Sequence, residues 1–289
     1  VTLFLALLLP AAAQAVTFTA FGDVNGTSDT PPSRFTYVVN AVNSLSPSFS
    51  VTSGDAILDS TSDSVATALS RWSKYRAVES KLAAPVYRTA GDNERLDTAN
   101  RLTAWTQTWA LPLWYSVSTG GVHFVFLNTA YSGHMGWAGL SEAQGTWLRS
   151  DLAAQPRPST IVVVTHYPLF NGKTNKPYAL DKKAEATALG ALFTSSGVDL
   201  VLCGDTHVYR RTVVGGINYV QVHPAGSTPR TIGVSPIPAL VAGENGQSGQ
   251  YGFQLVTVNA DRSIVLKRCT VSSTGALYVG SAVTVKDVP

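Results

Sequence analysis

The strongest constraint on this chain is a phrase it repeats: an apolar run of strand length that ends in a carboxylate or an imidazole. FTAFGD ends at Asp23, FSVTSGD at Asp55, VYRTAGD at Asp92, IVVVTHYP reaches His166, and LVLCGDTHVY carries Asp205 and His207. Strands buried on both faces read as continuous runs of this kind, and a glycine closing the run marks a turn. In extended backbone, side chains two residues apart leave the same face, so Asp205 and His207 reach toward one point. A lone Asp-x-His is a weak signal. Five strand ends offering oxygen and imidazole donors form a stronger one, because those are the groups that hold hard cations.

The segments between the runs carry helical spacing. Arg34–Leu45 places Phe35, Val38, Val39 and Val42 on one face, and Ser64–Ala83 does the same with Val65, Leu69, Trp72, Tyr75 and Val78 before Pro85. Thr98–Ala110 reads as a helix with Leu102, Trp105 and Trp109 inward, Ser141 with Gln144 opens another to about Leu152, and Lys183–Ser195 makes a fifth. Gly120-Gly121 joins two strands as a hairpin. Beyond His207 only strands and turns follow, with Thr228–Gln250 a Gly/Pro/Ser-rich loop and a closing meander over 251–285. Strands interleaved with helices, then a meander, imply an α/β fold of two stacked sheets with helices outside. In open α/β sheets the site lies beyond the carboxyl ends of the strands, where every donor named above falls.

Composition narrows the class. Charged residues make up 13% of the 289 positions, and the net charge of +3 comes without a Lys/Arg cluster, so the chain lacks the basic footprint of a stable nucleic-acid partner. Leu3–Pro10 followed by Ala13-Gln14-Ala15 fits the apolar core and cleavage site of a signal peptide over residues 1–15. The expectation is a secreted or periplasmic protein with one domain over 16–289 and no transmembrane segment in the mature chain. Cys203 and Cys269 fall in candidate strands and are expected as unpaired core residues, although an oxidising compartment permits pairing.

The order Gly-Asp, Gly-Asp, Gly-Asp-Asn-Glu, Val-Thr-His-Tyr-Pro, Gly-Asp-Thr-His resembles the five motifs of the calcineurin-like metallophosphoesterase superfamily from about Phe18 to Val222. The resemblance implies a four-layer α/β/β/α sandwich with two mixed β-sheets and a site for two divalent or trivalent metal ions. Carried over by position, Asp23, Asp55 and His207 hold one ion, and Asp55, Asp92, His166 and Asp205 hold the other, with Asp55 bridging. The chain departs from the family pattern at three places. Asn25 stands where the first motif has His, Asp92-Asn93 stands for Asn-His, and Asp205 stands for the first His of the last motif. Carboxylates there favour Mn, Mg or Fe over Zn, and Asn25 weakens the first position. A shifted register, with Asn93 ligating and Glu94 in the next role, is also open; Asp92 is preferred because it directly follows the glycine.

The resemblance implies hydrolysis of a phosphomonoester or phosphodiester substrate by a metal-bridging hydroxide, with Asp92, Asn93 and His166 as the catalytic group. Two cations about 3.5–4 Å apart neutralise the phosphate oxygens and acidify a bound water. Asn93 replaces the family's His and donates a hydrogen bond but no proton, so good leaving groups are favoured unless His134, Tyr131 or His223 supplies an acid. His123 reads as structural and the tryptophans as mostly core with Trp137 a candidate cleft residue; Arg88, Arg95 and Arg101, near the third motif, are candidates to bind phosphate or a carboxylate behind the ligands, with solvated surface as the default. No Gly-x-Ser-x-Gly elbow supports a serine hydrolase. The competing reading is a secreted binding or structural protein on the same scaffold with a degenerate metal site, kept open by Asn25 and Asn93.

Overall fold

The computed structural model describes residues 15–26, 28–58, 62–94, 96–130, 140–170, 184–230, 240–245 and 249–286. Residues 1–14 of the expected leader, Arg95, Tyr131, His134, Trp137 and parts of the Thr228–Gln250 loop lie outside them. Among the described residues, thirteen strands form two mixed sheets. The first contains β1 (Val16–Phe21), β2 (Phe49–Thr52), β3 (Val86–Arg88), β11 (Tyr251–Val258), β12 (Ile264–Val271) and β13 (Leu277–Lys286), in the order β13-β12-β11-β1-β2-β3. β1, β2 and β3 run parallel, and the meander joins antiparallel through β11. The second contains β4 (Tyr115–Thr119), β5 (Val122–Phe126), β6 (Thr160–Val164), β7 (Leu200–Cys203), β8 (Arg210–Val214), β9 (Ile217–Gln221) and β10 (Leu240–Asn245), in the order β10-β8-β9-β7-β6-β5-β4.

Strand alternation sorts the side chains into layers. In β5 and β6, Phe124, Phe126, Val162 and Val164 point between the sheets, while Val125, Ile161 and Val163 face the opposite way. Phe18 stacks on Phe49 and meets Phe124 edge-on at 5.0 Å, so aromatic contacts hold the sheets together. The outer face of the first sheet packs against α1 (Ser33–Ser44), α2 (Val65–Glu79) and α3 (Ala99–Trp109), and that of the second against α4 (Glu142–Ala153) and α5 (Ala184–Ser196). The architecture is the four-layer sandwich that the sequence implied.

Local signals account for most boundaries. Ser64 caps α2 by accepting from the Thr67 amide, and Ser141 caps α4 by accepting from the Gln144 amide. Gln144 does not close a capping box. Its side chain instead exchanges two hydrogen bonds with the backbone of Asn128, pinning the chain where it leaves β5. α2 ends at Glu79 rather than Ala83, and β10 lies inside the stretch expected to be loop. α3 is rotated from the expected face: Arg101, Ala104 and Trp105 are buried while Leu102 is half-buried. Cys203 and Cys269 are both free and buried, in different sheets.

Candidate metal centre

The carboxyl ends of β1, β2, β3, β6 and β7 open onto one cleft, and the turns that follow them aim their side chains inward. Asp23, Asp55, Asp205 and His207 all have positive φ, between 50° and 68°. Left-handed backbone is uncommon outside glycine, though Asn, Asp and His adopt it more readily than other side chains, and such residues concentrate at functional sites. The glycines ahead of the aspartates serve close packing. A Cβ on Gly91 would lie 2.1 Å from Asp55 Oδ1, and Gly54 has φ of 95° with the Gly91 backbone against it.

Two donor groups result. Asp23, Asp55 and His207 bring one ligand atom each within 4.8 Å of one another, and so do Asp55, Asp92 and His166. Asp55 belongs to both. His166 Nδ1 lies 2.8 Å from the Ser53 carbonyl, which only accepts, so Nδ1 carries the hydrogen. That leaves Nε2 aimed at Asp55 Oδ1 (3.3 Å) and Asp92 Oδ1 (3.2 Å). His207 is oriented the same way, with Nδ1 3.0 Å from the Thr228 carbonyl. An imidazole whose outer nitrogen is fixed by a carbonyl is the usual form of a metal ligand.

Charge balance favours a cation. Asp23 is fully buried, and while its Oδ1 accepts from the Asp205 amide, its Oδ2 has no hydrogen-bond partner among the described residues. Burial holds the Asp23 carboxyl above the usual carboxylate range, against the opposing pull of His207 and His166. Asp55 is likewise raised, by burial and by the charges of Asp92 and Glu94, with His166 opposing. Burial pushes the His166 ring toward its neutral form, but the Asp55 and Asp92 carboxylates overcome this and raise it well above 6.5. Protons therefore accumulate where cations would otherwise sit, and these donors fit hard divalent ions.

Asp205 and Asn25 line the same cleft, but the Asp205 carboxylate belongs to neither donor group, and Asn25 Oδ1 accepts the Ser227 hydroxyl. Asn93 donates from its amide nitrogen to Asp55 Oδ1 at 3.0 Å and from its side chain to Asp55 Oδ2. Tyr167 donates to Asp92 Oδ2 at 3.2 Å.

Glu94, which has a role at the metals only in the shifted register, has a different position. Its carboxylate is buried in a cradle of the Asp55, Ala56, Ile57 and Gly91 amides, so it ties the turn after β2 to the turn after β3. Arg88 and Arg101 depart from the surface default and are buried, each holding a carboxylate. Arg88 pairs with Glu79 and lies 3.6 Å over Trp109, and Arg101 pairs with Asp63 at 2.7 Å while donating to the Asn93 and Glu94 carbonyls. His223, a candidate acid, is buried against Tyr209; burial and Arg268 push its pKa down to about 3, so it is neutral at ordinary pH. His123 is structural, between Ser118 and Asp151.

The family model described as calcineurin-like phosphoesterase matches residues 16–209. The chain is 30% identical over 103 residues to a phosphoenolpyruvate phosphatase of Allium cepa, covering 35% of this chain and 20% of that protein. It is 26% identical over 179 residues to purple acid phosphatase 18 of Arabidopsis thaliana, covering 56% and 39%. The matched stretch thus spans well under half the length of these curated relatives. Among solved structures, the purple acid phosphatase from seeds of yellow lupin (Lupinus luteus) superposes with a TM-score of 0.70 at 16% identity, over 94% of this chain and 54% of that one.

Proposed function

The chain belongs to the calcineurin-like phosphoesterase family, and on that premise we propose that it hydrolyses phosphate esters with two divalent cations, one held by Asp23, Asp55 and His207 and the other by Asp55, Asp92 and His166. Asp205 and Asn25 would complete the walls. The observation that carries this reading is the pair of donor groups sharing Asp55 beside a buried, unsatisfied Asp23 oxygen. Cations bound there would neutralise the phosphate oxygens and supply an acidified water as nucleophile.

The chain's own residues set the rest. His166 and His207 are held in register by the Ser53 and Thr228 carbonyls, and Asp55 is held by the Asn93 amide. The Asn93 side chain lines the cleft and can donate a hydrogen bond to a phosphoryl or leaving-group oxygen, but it has no proton to transfer. Tyr167 orients Asp92; burial and the charges of Asp92, Asp205 and Asp55 raise its phenol far above the ordinary value, so it remains protonated and is no acid at neutral pH. With His223 neutral and tucked against Tyr209, esters with acidic leaving groups such as aryl phosphates should be the better substrates. Monoester and diester hydrolysis are both compatible with these donors.

The test is turnover of an aryl phosphomonoester and the matching diester by chelator-stripped protein before and after Mn²⁺, with bound metal measured alongside. Metal-restored turnover, lost by more than about 100-fold in Asp55→Ala, supports the enzyme; the scale is set by the 10–100-fold losses seen when only an outer partner of a ligand is removed. Absence of both bound metal and turnover would return the chain to the binding-scaffold reading.

A further inference from the structure

The cleft is larger than a phosphoryl group needs. It encloses about 520 Å³, within the roughly 300–1,000 Å³ range of sites that hold whole small molecules. Its lining is chemically divided. Asp55, Asp92, Asp205 and His207 contribute the donors, while the basic residues Arg34 and Arg230 line it as well. The two arginines come from α1 and from the segment whose Thr228 carbonyl orients His207; the Arg230 amide itself donates to the His207 carbonyl at 3.0 Å. Neither forms an ion pair among the described residues, whereas Arg71, Arg88 and Arg101 each hold a carboxylate.

Arg34 is also fixed in place. Its guanidinium lies 4.2 Å over the Tyr251 ring, at the start of β11. A cation–π contact at this distance anchors the guanidinium, and its N–H donors, which make no side-chain hydrogen bond among the described residues, suit a carboxylate or phosphate. A preordered cation without a protein anion, in the same cleft as the metal donors, calls for an anion from the ligand.

We propose that Arg34, stacked on Tyr251 and assisted by Arg230, forms a subsite for a second anionic group, so that the preferred substrate is a small phosphate ester whose leaving portion carries a carboxylate or a further phosphate. This rests on the hydrolytic reading above for the placement of the first phosphoryl group. It makes Arg34 a specificity determinant.

The test separates binding from turnover. Calorimetric titration of Mn²⁺-loaded protein with phenylphosphonate, 3- and 4-carboxyphenylphosphonate and phenylene bisphosphonate reads the subsite without chemistry, and the corresponding aryl phosphates read it through kcat/KM. The expected result is at least about tenfold preference for one of the doubly anionic compounds, falling toward unity in Arg34→Gln and partly retained in Arg34→Lys, which keeps the charge but loses the fork. Preference confined to the carboxylate or to the bisphosphonate series names the second anion. Equal affinity for singly and doubly anionic ligands, or a preference that survives Arg34→Gln, overturns the subsite even if aryl phosphates are hydrolysed. Preferential binding with no turnover would keep the subsite and remove the hydrolytic reading, and absence of both overturns both.

Discussion

Two clusters of buried charge adjoin the turn Asp92–Glu94, and they treat charge in opposite ways. On one side, Asp63 sits between Arg71 and Arg101, Asp29 pairs with Arg71, and further guanidinium donors reach the carbonyls of Leu58, Asn93 and Glu94. Each charge there has an opposite charge or a hydrogen-bond partner. On the cleft side, Asp23, Asp55 and Asp92 converge with two imidazoles, and the Asp23 and Asp55 carboxyls are pushed up toward holding protons. The first pattern is what a fold needs in order to bury ions at all, and the second is stable only when something else supplies positive charge. The difference identifies which cluster is scaffold and which is site, although both are built from the same residue types.

Breaking the balanced cluster should have the largest effect. Asp63→Ala leaves Arg71 and Arg101 buried without their shared carboxylate and should cost about 3–5 kcal/mol in urea unfolding, whereas Asp55→Ala in metal-free protein removes a carboxylate from among like charges and should cost far less. Equal losses from the two would break the comparison. Cations should then sharpen it. Mn²⁺ at a hundred times its dissociation constant should stabilise the wild type by about 2.7 kcal/mol and leave Asp55→Ala nearly unmoved. The sign with pH follows from the raised groups. The folded, metal-free protein holds more protons than the unfolded chain between the ordinary carboxylate range and the raised values, so its stability falls as pH rises through that window, while Mn²⁺ binding tightens because the cation displaces those protons.

Glu94 links the two clusters, since Arg101 donates to its carbonyl while its carboxylate gathers the four amides. Glu94→Gln keeps the shape but turns an N–H₂ toward backbone N–H groups. It should cost about 1–3 kcal/mol in unfolding and weaken Mn²⁺ binding by roughly 10–100-fold, without removing any ligand. The smallest effect concerns His223, which meets burial by remaining neutral. Its pKa of about 3 against about 6.5 in the unfolded chain means that the unfolded state binds the extra proton between those values, so stability is lost as pH falls below 6.5. In going from pH 7.5 to 5.5 the wild type should lose about 1.4 kcal/mol more than His223→Phe, read as the difference in urea midpoints.

The elements legible in the sequence are those governed by local periodicity. Runs of strand length closed by a turn mark β1, β2, β6 and β7, helical spacing marks α1 with the buried face Phe35, Val38, Val39 and Val42, and the Gly-Asp closures point to the turns with left-handed backbone. Sequence spacing did not reveal partners. Arg101 reads as a surface charge because its letter carries no trace of Asp63, 38 positions earlier, and the face of α3 is set by that ion pair rather than by Leu102. Glu94 sits three residues after Gly91, a turn-closing distance, yet three of its four amide donors come from the β2 turn 37 to 39 positions away. β10 is not legible in the sequence because Leu240–Asn245 lacks alternation and lies within a Gly/Pro/Ser-rich stretch.

The central place of β1 also bears on the time course of synthesis. Its antiparallel neighbour is β11, and the cross-strand pair Thr17–Thr257 spans 240 positions. At translation rates of about 5–20 residues per second, β1 is made roughly 12–50 s before the strand that covers its second edge. During that interval the apolar run VTFTAF has β2 on one side and an open row of backbone donors and acceptors on the other. The same arrangement leaves the first sheet incomplete until the last meander arrives, so the length of chain that matches the family model, ending at residue 209, stops short of the strand that completes β1.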